Sequence, residues 1–303
     1  MEINAQNIDI FYDLVDEACM IYYNDLHIDY LNSFIEVTND IINEKDDFNV
    51  SDDSYSRLKE IYNKIYDLQL LNEEIRLAVT LLLIKGLKHK NAQLDIVTPD
   101  TIGYLFTYIL DLLIKKSNGT KVIIDTAMGI SSLSQTILTN TEDVFLVGIE
   151  KDSDYVRVAK AFSDLLNHDV KLYYQDYKNY IYDIGDVVIG DLSRVEDKYE
   201  VILERIDNIK DNGYFVYLID NDFFQNVSNG FKESLSKVAT LTGLIVLPDN
   251  FTVNDHIGKS ILIGKKANMS DYHMSILKID SFDSKTIGET FQKVKKMIKQ
   301  MEG

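Results

Sequence analysis

The chain has 303 residues, 46% hydrophobic and 26% charged, proportions that suit one α/β domain of roughly 200 residues with a smaller unit of roughly 100. Its net charge of −18, with 8 Lys and Arg against 19 Asp and Glu in residues 1–97, argues against non-specific binding to duplex DNA, which depends on neutralised phosphates. A lone cysteine, Cys19, and five histidines without paired spacing (His27, His89, His168, His256, His273) exclude an internal disulfide and a metal site, and they fit a reducing, cytoplasmic setting.

No glycine precedes Gly86 and no proline precedes Pro99. Apolar residues recur at helical spacing, as in Ile61, Ile65 and Leu68, or Ile75, Val79, Leu82 and Leu83. Residues 1–97 therefore read as a helical domain of four helices, broken near Asp46–Asp53 and around Leu71-Asn72. Its tyrosines (Tyr12, Tyr22, Tyr23, Tyr30, Tyr55, Tyr62, Tyr66) read as amphipathic packing residues rather than base-stacking platforms. The acidic N-terminus does not resemble a signal peptide, and the apolar run Leu77–Ile84, interrupted by Thr80, is far too short to span a bilayer, so no membrane partner is expected. A basic C-terminal cluster, Lys293, Lys295, Lys296 and Lys299, reads as the solvated face of a terminal helix.

Thr98-Pro99-Asp100 is a helix start, a capping hydroxyl followed by proline in the first turn, and the helix should run to about Lys116 before Ser117-Asn118-Gly119 ends it. Lys121 to Leu133 then gives an apolar strand stopping on Asp125, a short loop with Gly129, and a helix. Val144–Ile149 is a second strand closing on Glu150, Val170–Tyr174 a third leading to Gln175-Asp176, and residues 186–191 a fourth ending on Asp191. Helices at 201–209 and 231–241 alternate with strands at Tyr214–Ile219 and Leu244–Leu247. Ser260–Ile263 and Met274–Ile279 are late strands with only a polar connection between them, which predicts a hairpin at an antiparallel edge. A Lys-rich helix closes the chain from about Glu289. Strands alternating with helices predict residues 98–303 to be a Rossmann-like, doubly wound, mostly parallel sheet.

Ligands of such sheets bind beyond the carboxyl ends of the strands. Here those ends carry Asp125, Glu150, Asp176, Asp191 and Asn221-Asp222. Glu150 is placed to accept both hydroxyls of a ribose, and Asp176 to accept an adenine amino group. An acid directly before the loop, Asp125, suits a cationic amine better than a pyrophosphate. With no G-x-G-x-x-G pattern, the ligand reads as S-adenosylmethionine rather than a dinucleotide.

The order Thr98-Pro99, Asp125-Thr126-Ala127-Met128-Gly129, Glu150, Asp176, Asp191 resembles motifs X, I, II, III and IV of the class I S-adenosylmethionine-dependent methyltransferases. Thr98-Pro99-Asp100-Thr101-Ile102-Gly103 matches the T-P-x-x-I-G segment of the N6-adenine DNA methyltransferase-like branch, and within it the chain is similar to the bacterial YtxK-like group. The resemblance implies cofactor binding by Thr98, Pro99, Asp125, Ala127, Gly129, Glu150 and Asp176, and a catalytic role for Asp191 in holding the target amine. The family's D-P-A-x-G-T-G has Thr126, Ile130 and Ser131 here in place of proline, threonine and the second glycine. If that glycine position needs a positive φ, Ser131 costs roughly 1 kcal/mol there. Its [DNS]-P-P-[YFW] has become Asp191-Leu192-Ser193-Arg194, with no aromatic before Tyr199. Two functions are therefore expected: an amino-group methyltransferase acting on an acceptor such as DNA, or a degenerate relative that binds or regulates through its helical domain, with a protein partner there.

Overall fold

The computed structural model describes residues 3–114, 119–193, 195–248, 258–269, 272–283 and 285–301. Four helices open the chain: α1 (Ala5–Leu26), α2 (Tyr30–Ile42), α3 (Asp52–Tyr66) and α4 (Asn72–His89). Their breaks fall where the sequence loses apolar periodicity. The Glu74 carboxylate ties the starts of α1 and α4 together, accepting from the backbone N–H of Asn4 at 2.8 Å and of Leu71 at 3.0 Å. Tyr22, Tyr30 and Tyr62 are buried, and Tyr22 and Tyr62 both donate to the buried Asp40 carboxylate, at 2.5 and 3.0 Å. That is the packing role expected of amphipathic aromatics.

A 3₁₀ turn, Leu94–Ile96, leads to α5 (Asp100–Ile114). The α5 helix starts one residue later than the sequence suggests, with the Pro99 carbonyl accepting from the N–H groups of Ile102 and Gly103. Its expected end at 115–118 lies outside the described residues. The segment Leu94–Ile114 is apolar and long enough to match a membrane span, yet more than half of it is buried inside the protein, and Ile102, Leu105, Phe106, Ile109 and Leu110 are fully enclosed. It is a core helix.

The remainder alternates β1 (Lys121–Asp125), α6 (Ser132–Asn140), β2 (Val144–Glu150), α7 (Ser153–Leu165), β3 (Val170–Tyr174), β4 (Gly185–Asp191), α8 (Lys198–Arg205), β5 (Ile209–Asp220), α9 (Asn229–Val238), β6 (Thr240–Val246), β7 (Lys259–Lys265), β8 (Ser275–Lys278) and α10 (Ile287–Met301). The eight strands form one sheet in the order β3-β2-β1-β4-β5-β7-β6-β8. β1 to β5 are parallel, and β7 is antiparallel to both β5 and β6. Alternate strand residues face opposite layers: Ile123, Val187 and Ile261 pack with α5, α6 and α10, while Ile124, Val188 and Leu262 pack with α8 and α9.

The expected hairpin of the last two strands does not form. β7 inserts between β5 and β6, and β8 lies parallel to β6 at the edge. The physical reason is burial: Lys259 to Gly264 are all buried, as a central strand requires, whereas Ile276 and Lys278 of β8 are exposed. β5 and β6 also begin earlier than the sequence suggests, at Ile209 and Thr240, shortening the helices before them.

The helical bundle shares an apolar cluster with the loop after β1 and with α7. Ile96, Ile130, Val158, Ala161 and Phe162 belong to the same buried cluster as Phe11, Phe34, Leu58 and Leu82.

Candidate cofactor and acceptor site

The sheet order reverses between β1 and β4, and a cavity of about 330 Å³ opens there, at the carboxyl ends of the parallel strands. Of the eight residues singled out by sequence, Ala127, Gly129, Glu150 and Asp191 line it. Ile96, Ile149, Tyr155 and Tyr177 supply apolar and aromatic wall, and Thr126, Lys151, Val195, Glu196 and Asp197 complete it.

Glu150 is the best-supported carboxylate of the site. Its Oε2 accepts from the N–H of Gly129 at 2.8 Å and its Oε1 from the N–H of Asp152 at 2.9 Å. An ionised carboxylate has about four acceptor positions, so two remain for a ligand after the backbone has fixed its orientation. Gly129 has φ +56°, and a Cβ there would lie 2.8 Å from Ile96 Cγ1. Glycine is required at this position both by the left-handed backbone and by the close approach of the segment entering from the helical domain.

Asp125 lies differently from the sequence expectation. It is 1% exposed and is absent from the cavity wall. Its Oδ2 accepts from the Ser134 hydroxyl at 2.5 Å and its Oδ1 from the Ala127 N–H at 3.3 Å. Burial pushes its carboxyl up to about 6, against the lowering effect of these two bonds, and the negative charges of Glu150 and Asp191 add to the rise. Asp125 therefore braces the loop and α6 from behind.

Ser131 is fully buried, with φ +71° and ψ +17°. The position occupied by a second glycine in the family motif is thus left-handed here, and a serine bears the strain. Its Oγ accepts from Gln135 Nε2 at 3.1 Å, and Gln135 also donates to Ser163 Oγ at 2.6 Å.

Thr98 is buried, and its backbone N–H donates to Ser132 Oγ at 3.0 Å. Pro99 and Asp176 are exposed, and none of the three touches the cavity. Asp176 caps the 3₁₀ turn Tyr177–Asn179 by accepting from the Lys178 N–H at 2.9 Å, which presents Tyr177 to the site.

Asp191 is 4% exposed at the end of β4. Its Oδ1 accepts from both the N–H (3.1 Å) and the hydroxyl (2.5 Å) of Ser193, and Lys259 Nζ donates to that hydroxyl at 3.1 Å. Tyr199, the next aromatic, donates its hydroxyl to the Phe223 carbonyl at 2.5 Å and packs on Phe223 and Phe231, half-buried against the core. Arg194 lies outside the described residues. Glu150, Asp191, Glu196 and Asp197 outnumber Lys151 in the wall, and Asp197 is itself paired with Lys178. The field favours a cation and opposes a phosphate.

Residues 9–87 match the family model of the YtxK N-terminal helical domain, so the chain carries a YtxK-like helical domain. YtxK of Bacillus subtilis (strain 168) is 26% identical over 266 residues, 78% of this chain and 80% of that protein. A Listeria monocytogenes protein described as a class I S-adenosylmethionine-dependent methyltransferase superposes with a TM-score of 0.81 at 24% identity, over 97% of this chain and all of that one. The type I restriction-modification methyltransferase subunit of Streptococcus thermophilus gives 0.65 at 14% identity, over 95% and 74%. The fold is the Rossmann-like fold of class I methyltransferases with an N-terminal helical bundle.

Proposed function

We propose that this protein, in a cytoplasmic setting, binds S-adenosylmethionine in the cavity at the ends of β1, β2 and β4 and transfers its methyl group to an amino nitrogen. The observation that carries the reading is Glu150, held by two backbone amides with acceptor positions left for the two hydroxyls of a ribose. The rest of the donor set fits the same molecule: Ile96, Ile149, Tyr155 and Tyr177 for a purine, and an acidic wall for the sulfonium and ammonium charges. A volume of about 330 Å³ lies at the lower end of the range for ligand pockets, roughly 300–1,000 Å³.

When bound, the cofactor supplies an electrophilic methyl on a sulfonium. The protein's task is positioning, because an in-line displacement needs little acid–base help. Asp191 would accept an N–H of the acceptor through Oδ2, with Ser193 locking Oδ1. The N6-adenine class of acceptor, DNA among its carriers, rests on the T-P-x-x-I-G segment and on likeness to a restriction-modification methyltransferase subunit. The chain's negative charge calls for a partner to deliver nucleic acid, and the YtxK-like helices are the surface proposed for it.

One observation favours a second reading, a binding or regulatory module without catalysis. Asp191 commits an oxygen to the Ser193 turn, and Tyr199, the first aromatic after it, is engaged with Phe223 and Phe231 rather than facing the cavity. Calorimetric titration with S-adenosylmethionine and S-adenosylhomocysteine, followed by transfer of labelled methyl to DNA, RNA and cell extract, separates the two. Binding with transfer that Asp191→Ala abolishes supports the enzyme. Binding without transfer supports the module, and no binding at millimolar cofactor overturns the enzyme.

A further inference from the structure

We infer that Arg76, on α4 of the helical domain, is a positioning residue for the cofactor loop 126–131, an inference that rests on the reading of that loop as the S-adenosylmethionine site. The Arg76 side chain is 1% exposed, and a guanidinium has five N–H donors and no acceptor. All five are used. Nε and Nη2 form a fork on Glu73 at 2.8 and 2.7 Å, Nη2 also reaches the Tyr104 hydroxyl at 3.2 Å, and Nη1 reaches Asp100 Oδ1 at 2.7 Å and Thr136 Oγ1 at 3.0 Å. Glu73 gathers the same elements from the other side, accepting from Tyr104 and from Asn140 Nδ2.

These partners sit on two helices whose preceding segments line the cavity. Asp100 and Tyr104 belong to α5, which follows the segment bearing Ile96. Thr136 and Asn140 belong to α6, whose first turn follows directly from Gly129, Ile130 and Ser131. At Gly103 of α5 a Cβ would lie 2.8 Å from Thr136 Cγ2, so α5 and α6 are in backbone-to-side-chain contact where Arg76 joins them. The bundle reaches the loop by a second path, since Ile130 is fully buried in the bundle's own apolar cluster. A fully satisfied, planar, five-donor group has one low-energy arrangement. Moving α4 must therefore break charged bonds to both helices or carry them along, and with them the Gly129 amide that orients Glu150. Whatever engages the helical domain thus acts on cofactor affinity.

The test compares full-length wild type, Arg76→Met, Thr136→Val and the double variant. Arg57→Met is the control, since among the described residues Arg57 pairs within the bundle, with Glu17 and Glu60. Amide hydrogen exchange without ligand should show Gly129, Ile130 and Ser131 exchanging about tenfold faster in Arg76→Met and Thr136→Val. The double variant should show less than the sum of the two single effects, because the Arg76–Thr136 bond is lost in both while the Thr136 bond to the Ser132 carbonyl is lost only with Thr136, and Arg57→Met should match wild type. S-adenosylhomocysteine should bind Arg76→Met about tenfold more weakly. Loop exchange that is unchanged in Thr136→Val, or additive in the double variant, overturns the coupling whether or not ligand binds. Absence of ligand binding to wild type overturns the functional reading and leaves the exchange data to decide the coupling. If Arg76→Met fails to fold, Arg76→Lys, which keeps the charge but not the five-donor fork, takes its place in the same comparison.

Discussion

On the β1–β2 side of the cavity, Glu150 is aimed by the amides of Gly129 and Asp152 and retains acceptor positions; on the β4 side, Asp191 has one oxygen occupied by both donors of Ser193. Both are acids at the ends of parallel strands, and their difference comes from what surrounds them. The first side uses backbone donors, which a ligand need not displace. The second uses a side-chain turn, in which both donors come from Ser193. In the proposed function the first side takes the nucleoside and the second the acceptor, so one can stay intact while the other changes.

Glu150→Ala probes the first side with the largest expected effect. Losing two charge-assisted hydrogen bonds to a ribose, at roughly 1.5 kcal/mol each, should weaken S-adenosylhomocysteine about 100-fold by calorimetry. Asp191→Ala should leave that affinity within about threefold. Equal losses in the two variants would erase the contrast between the sides. Next in size is Gly129→Ala, expected to destabilise by about 2 kcal/mol in urea unfolding, from left-handed strain plus the clash with Ile96. A cost near zero would mean that Ile96 and the loop are not locked together.

Asp125 gives a pH-dependent test of the brace behind the loop. Its folded carboxyl titrates at about 6, above the ordinary value near 4, so the folded state binds the extra proton between these values. Ionised Asp125 therefore costs stability at neutral pH, and that cost is relieved as pH falls through about 6. Relative to Asp125→Asn, wild type should gain about 1 to 2 kcal/mol between pH 7.5 and 5, from urea curves at each pH. A gap that stays constant or moves the other way would show that burial does not govern this acid. The smallest effect concerns Ser131, where left-handed strain and the Gln135 bond oppose each other. Ser131→Gly should be more stable than Ser131→Ala by about 1 kcal/mol, since both lose the hydroxyl and only glycine relieves the backbone. Equal stabilities would deny the strain.

The acids at the strand ends were legible because strand periodicity places them, and a glycine position held by serine was legible as a point of strain. Glu150 and Asp191 stand where the sequence puts them. Asp125 could not be placed from sequence, because its direction depends on Ser134 nine residues later in a helix that turns back over it. The walls Ile96, Tyr155 and Tyr177 come from two 3₁₀ turns and the start of α7, and local pattern does not report which elements converge. Tyr177 had one local signal, the capping aspartate just before it. Strand order failed for a similar reason: the apolar Ser260–Ile263 run indicates a strand buried on both faces, but not that it inserts between β5 and β6. Arg76 reads in sequence as one more charge on an amphipathic helix, and only the packing of α4 on α5 and α6 shows it enclosed.

The most direct measurement is a crystal structure of the full chain with S-adenosylhomocysteine. The account predicts both ribose hydroxyls on the Glu150 carboxylate, the purine against Ile96, Ile149 and Tyr177, and Asp125 still bonded to Ser134 behind the loop. A nucleoside bound elsewhere, or a ribose that leaves Glu150 untouched, would contradict it.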